Sequence, residues 1–226
     1  MEQTADESKT EHIAKMGHRL GSIYHHLWQE TGLTYQLCEE YVELYGTKPE
    51  RIDLLNEAAP RFFGMVFYVF WDFTLLCIAR LTDASKGTLS LRRLPSLVRQ
   101  TAKAGVEARL KEAIDRCAFA QDWRHRRIAH NSLDLMLNPT ANPLTPASRL
   151  QVTQALDSIV GVLDAVSMPY LGSRSMFAWK GGRASLGAVA LLHVLDDGIQ
   201  TQNDWLARLE RDEVDIADLM RREKGL

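Results

Sequence analysis

The chain has 226 residues, of which 46% are hydrophobic and 25% are charged. This composition is that of a folded globular protein and excludes collagen-like and largely disordered chains. Because the net charge is -2 and the pI is near 6.4, the protein lacks the overall positive charge of a general duplex-binding protein, so any contact with nucleic acid must be local.

Helical periodicity dominates the sequence, and no segment shows the sustained alternation of a half-buried strand, so we predict an all-α helical bundle. The first helical region covers about residues 7–45, with a bend or break expected near Gly32, and ends at Gly46. The second covers about residues 49–83, with a kink expected at Pro60.

The second region contains the most apolar segment of the chain, residues 62–79, which is close to the length needed to span a membrane. Asp72 lies at its centre, and a carboxylate at mid-bilayer costs about 2.5 to 3.5 kcal/mol on the insertion scale. The chain has no second segment of this kind. We therefore expect no membrane association, a helix buried on most sides, and a buried cation, such as an arginine of residues 124–127, beside Asp72.

The rest of the chain is predicted to form four further helices. A short one covers residues 90–102, and one opened by Gly105 runs to about residue 119 and then continues or restarts through the basic cluster that follows. The last two cover residues 147–166 and 184–222. Residues 138–146 contain three prolines and predict a loop. Residues 172–182 predict a second loop, in which Phe177 and Trp179 either pack against the bundle or a partner subunit, or stack on a base. We expect an N-terminal helical region (1–48), a bundle (49–171) and a C-terminal extension (172–226), together forming one compact unit.

Residues 124–130, Arg-His-Arg-Arg-Ile-Ala-His, place three arginines and two histidines within two helical turns. Imidazole transfers protons near neutral pH, and guanidinium binds two phosphate oxygens at once, so the cluster suits phosphodiester chemistry. Two alternatives remain open for the cluster and for its last residue. The arginines could instead form a solvated helix face or belong to an ion-pair network. His130 could instead be a structural histidine that caps a helix or is buried in the core.

The spacing within the cluster raises a geometric question. On an ideal helix Arg124 and His130 lie about 120° apart, whereas Arg126 and Arg127 are the helical neighbours of His130. Either the helix is distorted here, or Arg124 and His130 meet across a dimer, or one of the other two arginines contacts phosphate.

Residues 123–131 resemble the Arg-polar-x(3–5)-His motif of the HEPN superfamily, in its abortive-infection (AbiU-type) subgroup. Upstream, residues 78–83 (IARLTD) followed by Leu89-Ser90-Leu91 resemble the "RL-x-D, then Leu-Ser-Leu" pattern of the same subgroup. The resemblance covers about residues 60–170.

The resemblance implies a helical bundle that forms a homodimer, with both motifs facing a shared cleft, and in many members a metal-independent endoribonuclease that needs no cofactor. His130 would then be the general acid or base, and Arg124 would steady the scissile phosphate of RNA. The supporting positions are His125, Arg126, Arg127, Asn131, Asp83 and Arg80. For Arg80 and Asp83, three positions apart, we expect an ion pair with each other or a helix cap, or else a role in orienting the motif.

Such a protein is expected to be a toxin or phage-defence effector, in some systems paired with an antitoxin or another regulatory protein. The alternative is a non-catalytic HEPN-like module that binds a partner protein or a nucleotide. Asn131 and Ser132 stand where toxins silenced by adenylylation carry a tyrosine two residues after the motif histidine. Control is therefore expected to act by another route, such as direct occlusion.

The cysteines and the remaining histidines give no sign of a metal site or of a disulfide framework. Cys38, Cys77 and Cys117 lie far apart, which predicts buried thiols in a reducing compartment. His12, His18, His25 and His26 have no carboxylate or cysteine partner at ligand spacing. With a polar N-terminus that lacks the apolar segment of a secretory signal, we expect a cytoplasmic protein.

Overall fold

The computed structural model describes residues 5–138, 140, 142–174 and 187–211, and these residues form helices and no strand. The all-α prediction is confirmed. Phe177, Trp179, and the end of the last helix predicted beyond residue 211 lie outside the described residues. The α-helices are α1 (Ala5–Met16), α2 (His18–Tyr45), α3 (Pro49–Ala58), α4 (Pro60–Leu81), α5 (Gln100–Arg116), α6 (Ala118–Trp123), α7 (Leu133–Leu137), α8 (Arg149–Leu171) and α9 (Ala188–Glu210). A 3-10 helix covers Leu91–Ser96, and a π-helical turn covers Arg124–Ile128.

The chain divides into two compact units, each made from two separate segments. The first comprises residues 1–39 and 68–180, and the second comprises residues 40–67 and 181–226. The sequence suggested a different division, into three consecutive segments. That division remains a prediction.

The core of the first unit is built around α5 and α8, which pack against each other along their lengths. The buried positions of α8 recur every three or four residues, which is the period of a helix with one apolar face. The apolar ones among them are Val152, Ala155, Leu156, Ile159, Val162, Leu163 and Val166. Ser148 and Gln151 form a capping box at the start of α8, and Gly172 ends the helix in the left-handed region with φ 68°.

The break in the first helical region lies at Gly17, and a break near Gly32 is wrong because α2 is continuous through that residue. Gly17 has φ 82°, a conformation that L side chains rarely adopt, and it joins α1 to α2. A second glycine, Gly21, allows the two helices to approach closely. A Cβ atom there would lie 2.5 Å from the carbonyl oxygen of His12 and 2.6 Å from the Cα of Ile13.

The kink expected at Pro60 is a complete break between α3 and α4, with Pro60 as the first residue of α4. Proline suits this position because the first amide of a helix has no intrahelical acceptor.

The expectation that the apolar helix is buried on most sides is wrong. Only 33% of the most apolar window of α4 is buried, and Phe62, Met65, Tyr68 and Val69 are exposed. Among the described residues, α4 is the one helix whose length and composition would allow it to cross a membrane, a property that the core helices of soluble proteins share.

The structure differs from the prediction in the two helices expected over residues 90–102 and from Gly105 onward. The first is a 3-10 helix that ends at Ser96. Pro95 lies inside it, and since proline has no amide hydrogen it does not support a longer α-helix there. Gly105 lies within α5 rather than opening a new helix, at a cost of about 1 kcal/mol relative to alanine.

In the second unit, α3 packs against α9, and the Glu40 carboxylate accepts a hydrogen bond of 2.5 Å from the first amide of α9, that of Ala188. A carboxylate at this end of a helix also interacts favourably with the helix dipole.

Candidate functional site

The basic cluster begins where the α-helix ends. Residues Arg124–Ile128 form one π-helical turn, in which the amide of Ala129 donates to the carbonyl of Arg124 over 2.9 Å. The amide of Ser132 then donates to the carbonyl of Arg126 over 3.0 Å. The helix is therefore distorted at the motif, which is one of the three arrangements that the spacing left open. Single π turns of this kind are frequent at functional sites.

Arg124 is held by a buried carboxylate. Its Nη1 contacts Oδ2 of Asp83, whose side chain is only 6% exposed, whereas that of Arg124 is 27% exposed. Oδ1 of Asp83 accepts a hydrogen bond of 2.7 Å from the amide of Ser85. The hydrogen bonds from Ser85 and then the guanidinium of Arg124 outweigh burial and lower the pKa of Asp83 to about 2. Asp83 is therefore ionised at neutral pH and fixes one edge of the Arg124 guanidinium.

Further hydrogen bonds connect the upstream block to the motif. The side-chain amide of Gln121 on α6 donates to the carbonyl of Ala79 over 2.6 Å and to the hydroxyl of Thr82 over 3.2 Å. The hydroxyl of Ser90 donates to the carbonyl of Asp83 over 2.8 Å. The two blocks that carried the family resemblance therefore meet in space, and Gln121, which the sequence did not single out, helps to join them.

Arg80 does not pair with Asp83, and that expectation is wrong. Its guanidinium instead lies 3.2 Å from a carboxylate oxygen of Glu30 on α2. The expected pair assumed a continuous helix through both residues, but α4 ends at Leu81, so Asp83 leaves the helical register and turns toward Arg124.

Arg126 is committed to the proline-rich loop. It lies 3.3 Å from the Asp122 carboxylate and donates to the carbonyl oxygens of Asn142 and Pro143. Asp122 also accepts from the amide and the hydroxyl of Thr145, at 2.7 and 2.9 Å. Burial alone would raise the pKa of Asp122, but the hydrogen bonds from Thr145 and Arg126 lower it. Asp122 was not anticipated as part of the site, although its spacing of four residues from Arg126 is a visible signal for an ion pair.

Arg127 stacks on an aromatic ring. Its Cζ lies 4.9 Å from the ring centroid of Trp123, and the indole of Trp123 donates to the carbonyl of Thr145 over 2.7 Å. Burial raises the pKa of Asp72, and the charge of Arg127 acts in the opposite direction. The buried Oδ1 of Asp72 has no hydrogen-bond partner in the described part of the chain. Arg127 therefore influences Asp72 through its charge, but it is half-buried and forms no salt bridge with Asp72 among the described residues, so the expected pair of Asp72 with a buried cation is not seen.

His125, His130 and Asn131 are all exposed. His130 follows the π turn and precedes α7, and among the described residues its ring has no hydrogen-bond partner. The alternative of a histidine buried in the core therefore does not apply. The structure brings Arg124 and Asp83 together and directs Arg80 elsewhere, while the imidazole of His130 stands open to solvent.

Other titratable side chains lie apart from the motif. No group of three or more histidine, cysteine or carboxylate side chains suited to a metal ion is found in the described ranges. His12 and His25 are buried, with their Nδ1 atoms 3.3 Å apart, and burial lowers the pKa of both. Cys77 and Cys117 are buried free thiols, and Cys38 is half-buried.

The fold and the motif define a helical domain of the HEPN type. The chain matches the HEPN family model AbiU2 over residues 18–184, which is most of its length. The protein therefore belongs to the AbiU2 family of HEPN domains, which places it in the context of abortive infection. Comparison with curated proteins and with solved structures gives no match.

The family match is wider than the resemblance seen in the sequence motifs. It begins at His18, the first residue of α2, whereas the motif resemblance covers about residues 60–170. The additional segment includes Glu30, the partner of Arg80. The helix that supports the upstream block thus belongs to the family domain.

Proposed function

We propose that the protein is a metal-independent endoribonuclease of the HEPN type, acting in the cytoplasm as a phage-defence effector or toxin. One observation supports this most strongly. Arg124 is fixed by a buried, ionised carboxylate, while the imidazole of His130, six residues later, is exposed and has no partner in the described part of the chain. A fixed cation and an open proton-transfer group are the two components that RNA cleavage without a metal requires.

In the proposed reaction the nucleophile comes from the substrate. The 2'-oxygen of a ribose attacks the adjacent phosphorus and gives its proton to a base, and the bond from phosphorus to the 5'-oxygen breaks. The departing 5'-oxygen takes a proton from an acid. The products are a 2',3'-cyclic phosphate and a 5'-hydroxyl end. His130 serves as the acid or the base, because histidine is the side chain that most often transfers protons in catalysis and this one is exposed to a substrate.

Arg124 is the best placed of the three arginines to bind the scissile phosphate. Asp83 engages Nη1, and the structure gives Nε and Nη2 no partner among the described residues. A guanidinium that is already fixed reorganises little when negative charge develops on the phosphorane. Arg126 is less suited because both of its terminal nitrogens already have acceptors.

The reaction needs both an acid and a base, and two copies of the motif facing a common cleft would supply two imidazoles. We therefore include a homodimer in the proposal. Light scattering at micromolar concentration should give twice the mass of one chain, and a monomer under these conditions would contradict a shared cleft.

The decisive experiment compares purified wild type with His130→Ala on single-stranded RNA. We expect kcat to fall by about 10² to 10⁴, the range typical of a general acid or base. Activity should persist in EDTA, and the products should carry 2',3'-cyclic phosphate. His193→Ala is the matched control, because it removes another exposed histidine, on α9 and outside the family match. Loss of activity in EDTA, or an unchanged rate in His130→Ala, would refute the proposal.

A second candidate function is a non-catalytic module that binds a partner protein or a nucleotide. It is favoured by the fact that Asp83 compensates the charge of Arg124 before any ligand arrives. In that case, expression should not arrest bacterial growth, and alanine at Arg124 or His130 should change only the capture of the partner. If an antitoxin exists, direct occlusion of the motif is the mode of control that we propose.

A further inference from the structure

Three arginines, Arg92, Arg93 and Arg99, lie on the 3-10 helix and just before α5, in the segment that follows Asp83. Nε of Arg92 donates to the carbonyl of Thr82 over 2.8 Å, and Nε of Arg93 donates to the carbonyl of Thr88 over 3.1 Å. Cζ of Arg99 lies 4.7 Å from the ring centroid of Tyr170. Each guanidinium is therefore oriented by a neutral group.

None of these three side chains has a carboxylate partner within the described residues. Five other arginines each contact an acidic side chain, namely Arg51, Arg80, Arg109, Arg124 and Arg126. For Arg92 and Arg93, the bond from Nε to a carbonyl fixes the plane of the guanidinium and leaves both terminal nitrogens for another acceptor. Two parallel N–H groups of this kind match two oxygens of a phosphate.

Arg92 is linked to the site through the backbone. Its acceptor is the carbonyl of Thr82, and the next residue, Asp83, pairs with Arg124. The guanidinium groups of Arg92 and Arg124 therefore bind neighbouring residues of the chain. The surrounding sequence is basic as well. Residues 84–131 contain eleven Lys and Arg against four Asp and Glu, although the whole chain has a net charge of -2. Local positive charge of this kind attracts a polyanion.

We propose that Arg92 and Arg93, with Arg99 beyond them, bind phosphates of the RNA strand that flank the scissile phosphate. This inference rests on the proposed function and extends it, because it assigns the residues that bind the strand outside the scissile phosphate. The substrate is single-stranded RNA of several nucleotides, bound along its backbone. The three arginines bind the strand and take no part in proton transfer.

The first test measures binding of a single-stranded RNA in which every ribose is 2'-O-methylated. Methylation blocks the nucleophile, so binding can be measured whether or not the protein cleaves RNA. We expect Arg92→Gln, which retains a donor for the Thr82 carbonyl, to weaken binding about tenfold, in line with the loss of one charge-assisted phosphate contact. The slope of log K against log salt should fall by about 0.7 per arginine lost. Arg92→Lys should recover part of the affinity.

Arg109→Gln is the matched control, since it removes an arginine of the same unit whose charge is compensated by Glu112. A second measurement uses cleavable RNA. Arg92→Gln should raise KM for a long strand with little change in kcat, and it should leave cleavage of a dinucleotide unchanged because that substrate has no flanking phosphate.

The outcomes separate the two proposals. If Arg92→Gln weakens binding of the methylated RNA but wild type cleaves no RNA, the nuclease proposal fails and the phosphate-binding surface stands. If Arg92→Gln binds as Arg109→Gln does, the surface is refuted. It is also refuted if dinucleotide cleavage falls as much as that of long RNA, or if Arg92→Lys restores nothing and both Arg92 variants unfold at lower temperature.

Discussion

Replacing Asp83 with asparagine tests the central contact of the site. The side chain is 6% exposed, and its pKa lies at about 2, against an ordinary value of 3.8. A difference of just under two units corresponds to about 2 kcal/mol, at about 1.4 kcal/mol per unit. Because the folded-state pKa is depressed, this stability is fully present above pH 3.8 and is lost as the pH falls toward 2. Asp83→Asn should therefore be about 2 kcal/mol less stable at pH 7.

The assay is urea unfolding followed by circular dichroism, at pH 7 and at several pH values between 4 and 2. The deficit of the variant should narrow across the acidic range. In thermal unfolding, about 2 kcal/mol corresponds to a fall in Tm of about 4 to 8 °C for a chain of this size. Since the hydrogen bonds from Ser85 lower the pKa more than Arg124 does, Arg124→Gln should be less destabilising than Asp83→Asn.

Asp115→Asn is the control, because it neutralises an exposed carboxylate on α5 and should change stability by about 0.5 kcal/mol at most. The argument would be refuted by an Asp83→Asn protein as stable as wild type at pH 7, or by a deficit that does not depend on pH. It would also be refuted if Arg124→Gln proved the more destabilising change. A double-mutant cycle isolates the part of the free energy that belongs to the pair.

Two further predictions concern α1 and α2. Burial lowers the pKa of both His12 and His25, so their neutral forms stabilise the fold, and the free energy of unfolding should decrease as the pH falls below 6.5. Chemical denaturation at pH 7.5 and 5.5 measures this, and His12→Gln should reduce the difference; an equal dependence in the variant would count against the histidine pair. Gly21→Ala should destabilise the protein by several kcal/mol, because the new Cβ would meet the backbone of α1. Gly161→Ala is the comparison, with its nearest neighbour at 3.8 Å, and should be neutral or stabilising; similar losses in both variants would contradict the argument.

The sequence was a good guide to the fold where burial determines the pattern. The apolar residues of α8 recur with the period of a helix because one face meets α5, so the helix could be predicted from their spacing. The break between α1 and α2 could not be placed in the same way. Both positions are glycine, so the residue type does not tell them apart. Only the backbone conformation does, with φ 82° at Gly17, where the helix breaks.

The motif was visible in the sequence, but the pairings around it were not. Asp83 and Arg124 are 41 residues apart, whereas Arg80 lies only three residues from Asp83 and was therefore the expected partner. That expectation depended on a helix continuing to Asp83, but α4 ends at Leu81, where Gln121 donates to the Ala79 carbonyl and to the Thr82 hydroxyl. Such contacts connect segments that have no fixed spacing in the chain.

The arginines of the cluster differ in how completely they are paired, and this difference bears on function. Arg126 gives its terminal nitrogens to Asp122 and to loop carbonyls, which is how a structural arginine stabilises a loop. Arg124 gives one nitrogen to Asp83, keeps 27% of its side chain exposed, and stands at the start of a π turn. A buried ion pair is a poor means of gaining stability, because well-packed apolar side chains often serve as well. The Asp83 carboxylate is better explained by function, because it holds the partly exposed guanidinium of Arg124 in the one orientation needed to bind an anionic ligand.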